Sequence, residues 1–143
     1  MSPFSFAQNL SQHLPSLSHT LIRVPRDLDS VTHYNASDEC DPQDVGLTQA
    51  GVDSIWQAVQ ALYQSGTQTG IQLSIRRHGK RILNRSIGHA SGNAPKDSPD
   101  TTKTPLYPHT PVCLFSASKA ITAILVHKLV EQGLLKLDDL VCD

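Results

Sequence analysis

Phe115-Ser-Ala-Ser-Lys-Ala-Ile-Thr-Ala-Ile-Leu-Val126 sets Ser116 and Lys119 three residues apart at the start of a strongly apolar helix that the pattern carries to about Gln132. Gly133 is placed to end it, because glycine accepts the left-handed conformation of a C-terminal cap. Residues three apart on a helix lie about 5–6 Å apart at Cβ, so the Lys119 amine reaches the Ser116 hydroxyl. A serine alcohol is a weak nucleophile at neutral pH and needs a neighbouring base as it attacks a carbonyl. A lysine is that base only as the free amine, a form that burial favours, and Leu114, Phe115 and Ile121 are the residues expected to desolvate it. The unpaired amides of the first helical turn add positive potential and suit a developing oxyanion.

The spacing alone is weak: fifteen serines and six lysines in 143 positions predict about 0.6 chance pairs of this kind. Without chemistry, Ser116 would be an N-cap and Lys119 a solvated first-turn cation. A cation near a helix N-terminus is electrostatically unfavourable, and a cap does not explain it.

Upstream, Thr48 is placed to cap a helix in which Val52, Ile55, Trp56, Val59, Leu62 and Tyr63 recur at three- and four-residue spacing up to Gly66. Trp56 and Tyr63 read as core residues. Ile71, Leu73 and Ile75 then alternate with Gln72, Ser74 and Arg76, the period of a half-buried strand. His78-Gly79-Lys80 supplies a hairpin turn, and a second strand returns from Arg81 to Ile87 and ends at Gly88. Arg76, Arg77, Lys80, Arg81 and Arg85 read as a solvated hairpin face. Residues 91–110 form a long irregular connection, and residues 1–46, interrupted by Pro15, Pro25 and Pro42, an N-terminal arm that is partly irregular.

The order helix, hairpin (Ile71-Gln-Leu-Ser-Ile-Arg-Arg-His-Gly-Lys80), loop, Leu114-Phe-Ser-Ala-Ser-Lys119 and a helix closing in Val130-Glu-Gln-Gly-Leu-Leu-Lys-Leu-Asp-Asp139 resembles the serine β-lactamase and penicillin-binding superfamily, most of all its class C-like esterase branch. The resemblance spans residues 47–143. It implies an α+β fold in which this chain is the N-terminal portion of a β-lactamase/transpeptidase-like domain, with the rest lying beyond residue 143. It also implies that Ser116 is the acylated nucleophile, Lys119 its proton-accepting partner and Ser118 structural. The expected activity is a serine hydrolase acting through an acyl-enzyme on a small ester or amide, a β-lactam among them, and closest to a β-lactamase-related carboxylesterase. The family's Tyr-x-Asn and Lys/His-x-Gly motifs have no counterpart in these residues, so the chain by itself is expected to be inactive. The alternative is a non-catalytic binding or scaffold relative of the same fold.

The remaining signals are exclusions. Twelve basic against 13 acidic side chains give a net charge of −1, which argues against nucleic acid or an anionic membrane surface as partner. Cys40, Cys113 and Cys142 form no C-x-x-C pair, and the seven histidines show no metal-ligand spacing, so no metal and no cofactor is expected. His127, eleven residues after Ser116, is roughly 16 Å up the helix and out of reach as its base, while His89 and His109 read as loop histidines. The first ten residues have no basic, apolar leader pattern, which points to a cytoplasmic protein.

Overall fold

The computed structural model describes residues 21–140. Two compact units emerge, the first running to Thr110 and the second beginning at Pro111.

In the first unit, α1 (Gln49–Gln64) starts where Thr48 Oγ1 accepts a hydrogen bond from the Gly51 amide at 3.1 Å, satisfying one of the donors a helix start leaves free. Its apolar stripe buries Val52, Trp56 and Tyr63, as the spacing predicts. The chain leaves the helix through Gly66 at φ +76° and enters β2 (Gly70–Arg77), which follows a short strand, β1 (Thr32–Tyr34). His78 and Gly79, both at positive φ (50° and 77°), form a two-residue turn into β3 (Lys80–Ser91). Two left-handed residues match the right-handed twist of the flanking strands. The register shifts at Ile75/Arg76, where Ile75 faces Leu83 but Arg76 faces Arg81. The unmatched residue is Ile82, so Ile82 and Leu83 are buried in succession, which a regular strand with one buried face would not allow.

The strand order is β1-β3-β2, with β4 (Thr104–Pro105) added against the far end of β3. A lone hairpin is marginal in water, and the two additional strands extend it into a sheet. β3 runs on past Gly88, the residue at which the sequence reading ends the strand, to Ser91. Gly88 is no terminator: at φ +97° a Cβ there would lie 2.5 Å from the Thr69 carbonyl oxygen and 2.7 Å from Tyr63 Cε2, so glycine lets strand and helix close on each other. The core gathers Ile22, Val31, Trp56, Tyr63 and Ile87.

The expected N-terminal arm is described from residue 21 onward. It is largely irregular, with three short 3-10 turns, yet it carries β1 and two of those core residues. Residues 1–20 of the arm lie outside the described residues.

The solvated hairpin face holds for Arg76, Arg77 and Lys80, which are exposed, and is corrected at Arg85. Arg85 is 16% exposed and pairs with Glu39 at 2.7 Å; Lys80 meets Asp44 at 3.0 Å and Arg81 approaches Asp38 at 3.8 Å. Three of the five basic residues therefore face carboxylates of the segment 38–44.

In the second unit, a 3-10 turn at Phe115–Ala117 leads into α2 (Ser118–Glu131). Gly133 at φ +71° caps it: the Gly133 amide donates to Val130 O and the Leu134 amide to Leu129 O, the two bonds of a Schellman motif. Ile121, Ile124, Leu125 and Leu129 are exposed, and no residue of α2 is buried. None of the described helices is long and apolar enough to cross a membrane.

Candidate active site

Ser116 lies inside the 3-10 turn that precedes α2, not at a helix cap. The α2 N-cap position is Ala117, and no side chain caps either helix start. The cap reading of Ser116 therefore fails, and its hydroxyl is left to another partner. That partner is Lys119, whose Nζ donates to Ser116 Oγ at 3.2 Å. Among the described residues it is the one side-chain hydrogen bond that Lys119 makes.

Local backbone produces this geometry. Phe115, directly before Ser116, sits at φ +46°, a region that a bulky L-residue enters at a cost of about 1–2 kcal/mol. The Ala117 amide donates to the Leu114 carbonyl at 3.0 Å, so the chain reverses tightly around Phe115 and Ser116. Ser116 and Lys119 then span the turn at the i, i+3 spacing at which side chains share a face. Thr122 Oγ1 bonds the Ser118 carbonyl at 3.1 Å, which gives the backbone of Ser118 a structural part in α2.

The desolvation expected from Leu114, Phe115 and Ile121 is absent: the three are 46%, 81% and 48% exposed. The pair is open to water on the residues described. Chemically the arrangement offers a hydroxyl whose proton has an amine within transfer distance when that amine is uncharged.

The other residues singled out from the sequence fall elsewhere. His127 is an exposed residue of α2. His89 lies in β3 with its Nδ1 buried and without a partner among the described residues; burial, Lys103 and His33 hold its pKa below the usual histidine value. His109 stacks on Tyr107 with ring centroids 5.7 Å apart. Sequence reasoning missed a concavity of about 430 Å³ on the first unit, lined among others by His33, Arg81, Asn84, Tyr107 and His109. His109 and Arg81 carried a sequence signal, as a loop histidine and as part of the basic hairpin cluster; His33 and Asn84 come together only through the pairing of β1 with β3, and Tyr107 through the loop that follows β4.

A family model described as Beta-lactamase matches residues 55–143, from the second turn of α1 through the hairpin and the Ser116–Lys119 turn. No curated protein and no solved structure matches the chain.

Proposed function

The chain belongs to the β-lactamase family of the serine hydrolase superfamily, and on that premise we propose that it contributes Ser116 as the nucleophile and Lys119 as the proton acceptor of an acyl-transfer reaction. The observation that carries this reading is the 3.2 Å approach of Lys119 Nζ to Ser116 Oγ.

Ser116 Oγ bonds to the carbonyl carbon of the substrate while its proton passes to Lys119 Nζ, which accepts it only as the free amine. The carbonyl π pair moves onto oxygen, which needs N–H donors beyond the Ala117 and Ser118 amides, since those already donate to carbonyls of the turn. Collapse of the adduct breaks the bond to the leaving group, which takes its proton from the Lys119 ammonium and departs as an alcohol or amine. Water then attacks the acyl-enzyme, giving up a proton through Lys119, and releases the acid and free Ser116.

The proposed substrates are small esters or strained amides, and the reading closest to the residues is a carboxylesterase acting in the cytoplasm. Hydrolysis of p-nitrophenyl acetate and of the chromogenic β-lactam nitrocefin by a protein that carries these residues together with the family's Tyr-x-Asn and Lys/His-x-Gly motifs tests it. The expected result is ester turnover that Ser116→Ala abolishes and that Lys119→Ala lowers by about 10²–10⁴-fold, the usual contribution of a positioned base. Turnover that persists unchanged in Ser116→Ala overturns the assignment.

A further inference from the structure

We propose that the concavity beside β1, lined by residues of the first unit, is a binding site for a small, neutral, planar heteroaromatic molecule, a reading that does not rest on the chemistry of Ser116. Its volume of about 430 Å³ falls within the range of small-molecule sites, roughly 300–1,000 Å³.

One wall is a row of three rings. His33 and Tyr107 have centroids 4.6 Å apart at an interplanar angle of 45°, and Tyr107 and His109 stack at 5.7 Å and 13°. Tyr107, flanked by the two imidazoles, is 43% exposed, so the row offers solvent the edges of its rings, which a flat ligand can meet edge to face. Its backbone is held firmly. Gln72 Nε2 donates to the carbonyls of Tyr107 and Thr110 at 2.6 and 2.8 Å, the Tyr107 amide donates to Thr110 Oγ1 at 2.9 Å, and buried Ser86 donates to the Leu106 carbonyl at 2.6 Å. His33 is fixed from the other side by its register opposite Ser86.

The opposite lining carries both signs of charge and several polar groups, among them the buried Arg81 Nε, which bonds nothing among the described residues. Arg81 Nη1 and Asp38 Oδ2, 3.8 Å apart, both line the concavity and cancel formally. An anion would meet Asp38 and a cation Arg81, so a neutral molecule fits best. Asn84 and Asn35 also line it. Asn35 Oδ1 accepts from the Ser37 amide and hydroxyl, which leaves its NH₂ group available. The Asn84 side-chain amide bonds no protein group among the described residues, so it presents both a donor and an acceptor. A ring with mixed donors and acceptors on its edge, of the kind found in nucleobases and nicotinamide, satisfies face and edge together.

Titration of the protein with adenine, cytosine, nicotinamide and benzoate, followed by NMR shifts of the Tyr107 and His109 ring protons, tests the site. The expected result is saturable, ring-current-shifted binding of at least one of the three neutral heteroaromatics, tighter than benzoate. Tyr107→Leu and Asn84→Ala each weaken it about tenfold, while Tyr107→Phe retains it and Ser116→Ala leaves it unchanged. Absence of saturable shifts with all three, tighter binding of benzoate, or binding indifferent to Tyr107→Leu and Asn84→Ala overturns the proposal. The readout is binding, so loss of ester hydrolysis leaves it untouched.

Discussion

Glu39 and Arg85 form a two-pronged ion pair across 46 residues of sequence: Arg85 Nε donates to Glu39 Oε1 at 2.9 Å and Nη2 to Oε2 at 2.7 Å. The Asn84 amide adds a third bond to Oε1 at 2.9 Å, and the guanidinium lies 4.8 Å from the Tyr34 ring centroid and 5.7 Å from that of Trp56. The N-terminal segment is thereby tied to the central strand by a charged pair that is largely out of water.

Burial alone would push the Glu39 carboxyl up, but the Arg85 hydrogen bonds and charge, with the Asn84 amide, outweigh it and hold it below the usual value of 4.5. A carboxylate with a depressed folded-state pKa stabilises the protein fully above its unfolded value and loses that contribution as pH falls through the folded one. Stability is therefore expected to drop on acidification below about pH 4.5, partly through this group. Glu39→Gln should cost about 2–3 kcal/mol at neutral pH, since it leaves Arg85 without its counter-charge, and should flatten the acid limb. Urea unfolding of both proteins at neutral and acidic pH measures both effects; an unchanged acid limb in Glu39→Gln would contradict this account of the pair.

Tyr63 is fully buried, and its hydroxyl bonds nothing among the described residues; burial pushes its pKa up. An unsatisfied buried hydroxyl costs free energy that an apolar ring does not. Tyr63→Phe is expected to keep or raise stability by about 1 kcal/mol, whereas Tyr63→Ala should lose about 3–5 kcal/mol through the cavity. Thermal unfolding of the two variants reads the sign directly.

Gly88 meets Thr69 O at 2.5 Å and Gly70 Cα at 2.8 Å from where a Cβ would stand, and its φ of +97° disfavours any side chain. Gly88→Ala should therefore destabilise by about 3 kcal/mol. Gly79, also at positive φ but with open space around it, is the control: Gly79→Asn should cost well under half as much, because asparagine tolerates the left-handed region.

What could be read from the sequence was what is local. The Val52-Trp56-Tyr63 stripe and the Thr48 cap define α1 within one segment, and the alternation of Ile71, Leu73 and Ile75 with the His78-Gly79 turn defines the hairpin. Ser116 and Lys119 likewise sit one helical turn apart, so their approach follows from spacing. What escaped was non-local or depended on backbone angles. β1 is three residues, Thr-His-Tyr, in a polar stretch, and only its pairing with β3 makes it a strand. The partners of Arg85, Arg81 and Lys80 lie far away in sequence, so their charges read as solvated. Gly88 was legible as a special position but not as one inside a continuing strand, and the left-handed Phe115 contradicts the ordinary preference of an aromatic residue.

The most direct test of the central claim is the location of a covalent adduct. In a protein that carries these residues together with the family's Tyr-x-Asn and Lys/His-x-Gly motifs, incubation with a fluorophosphonate is expected to add one phosphonyl group to Ser116, read by intact mass and peptide mapping, absent from Ser116→Ala and slowed in Lys119→Ala. No adduct on the wild-type protein, or one that persists in Ser116→Ala, would contradict the assignment of Ser116 as the nucleophile.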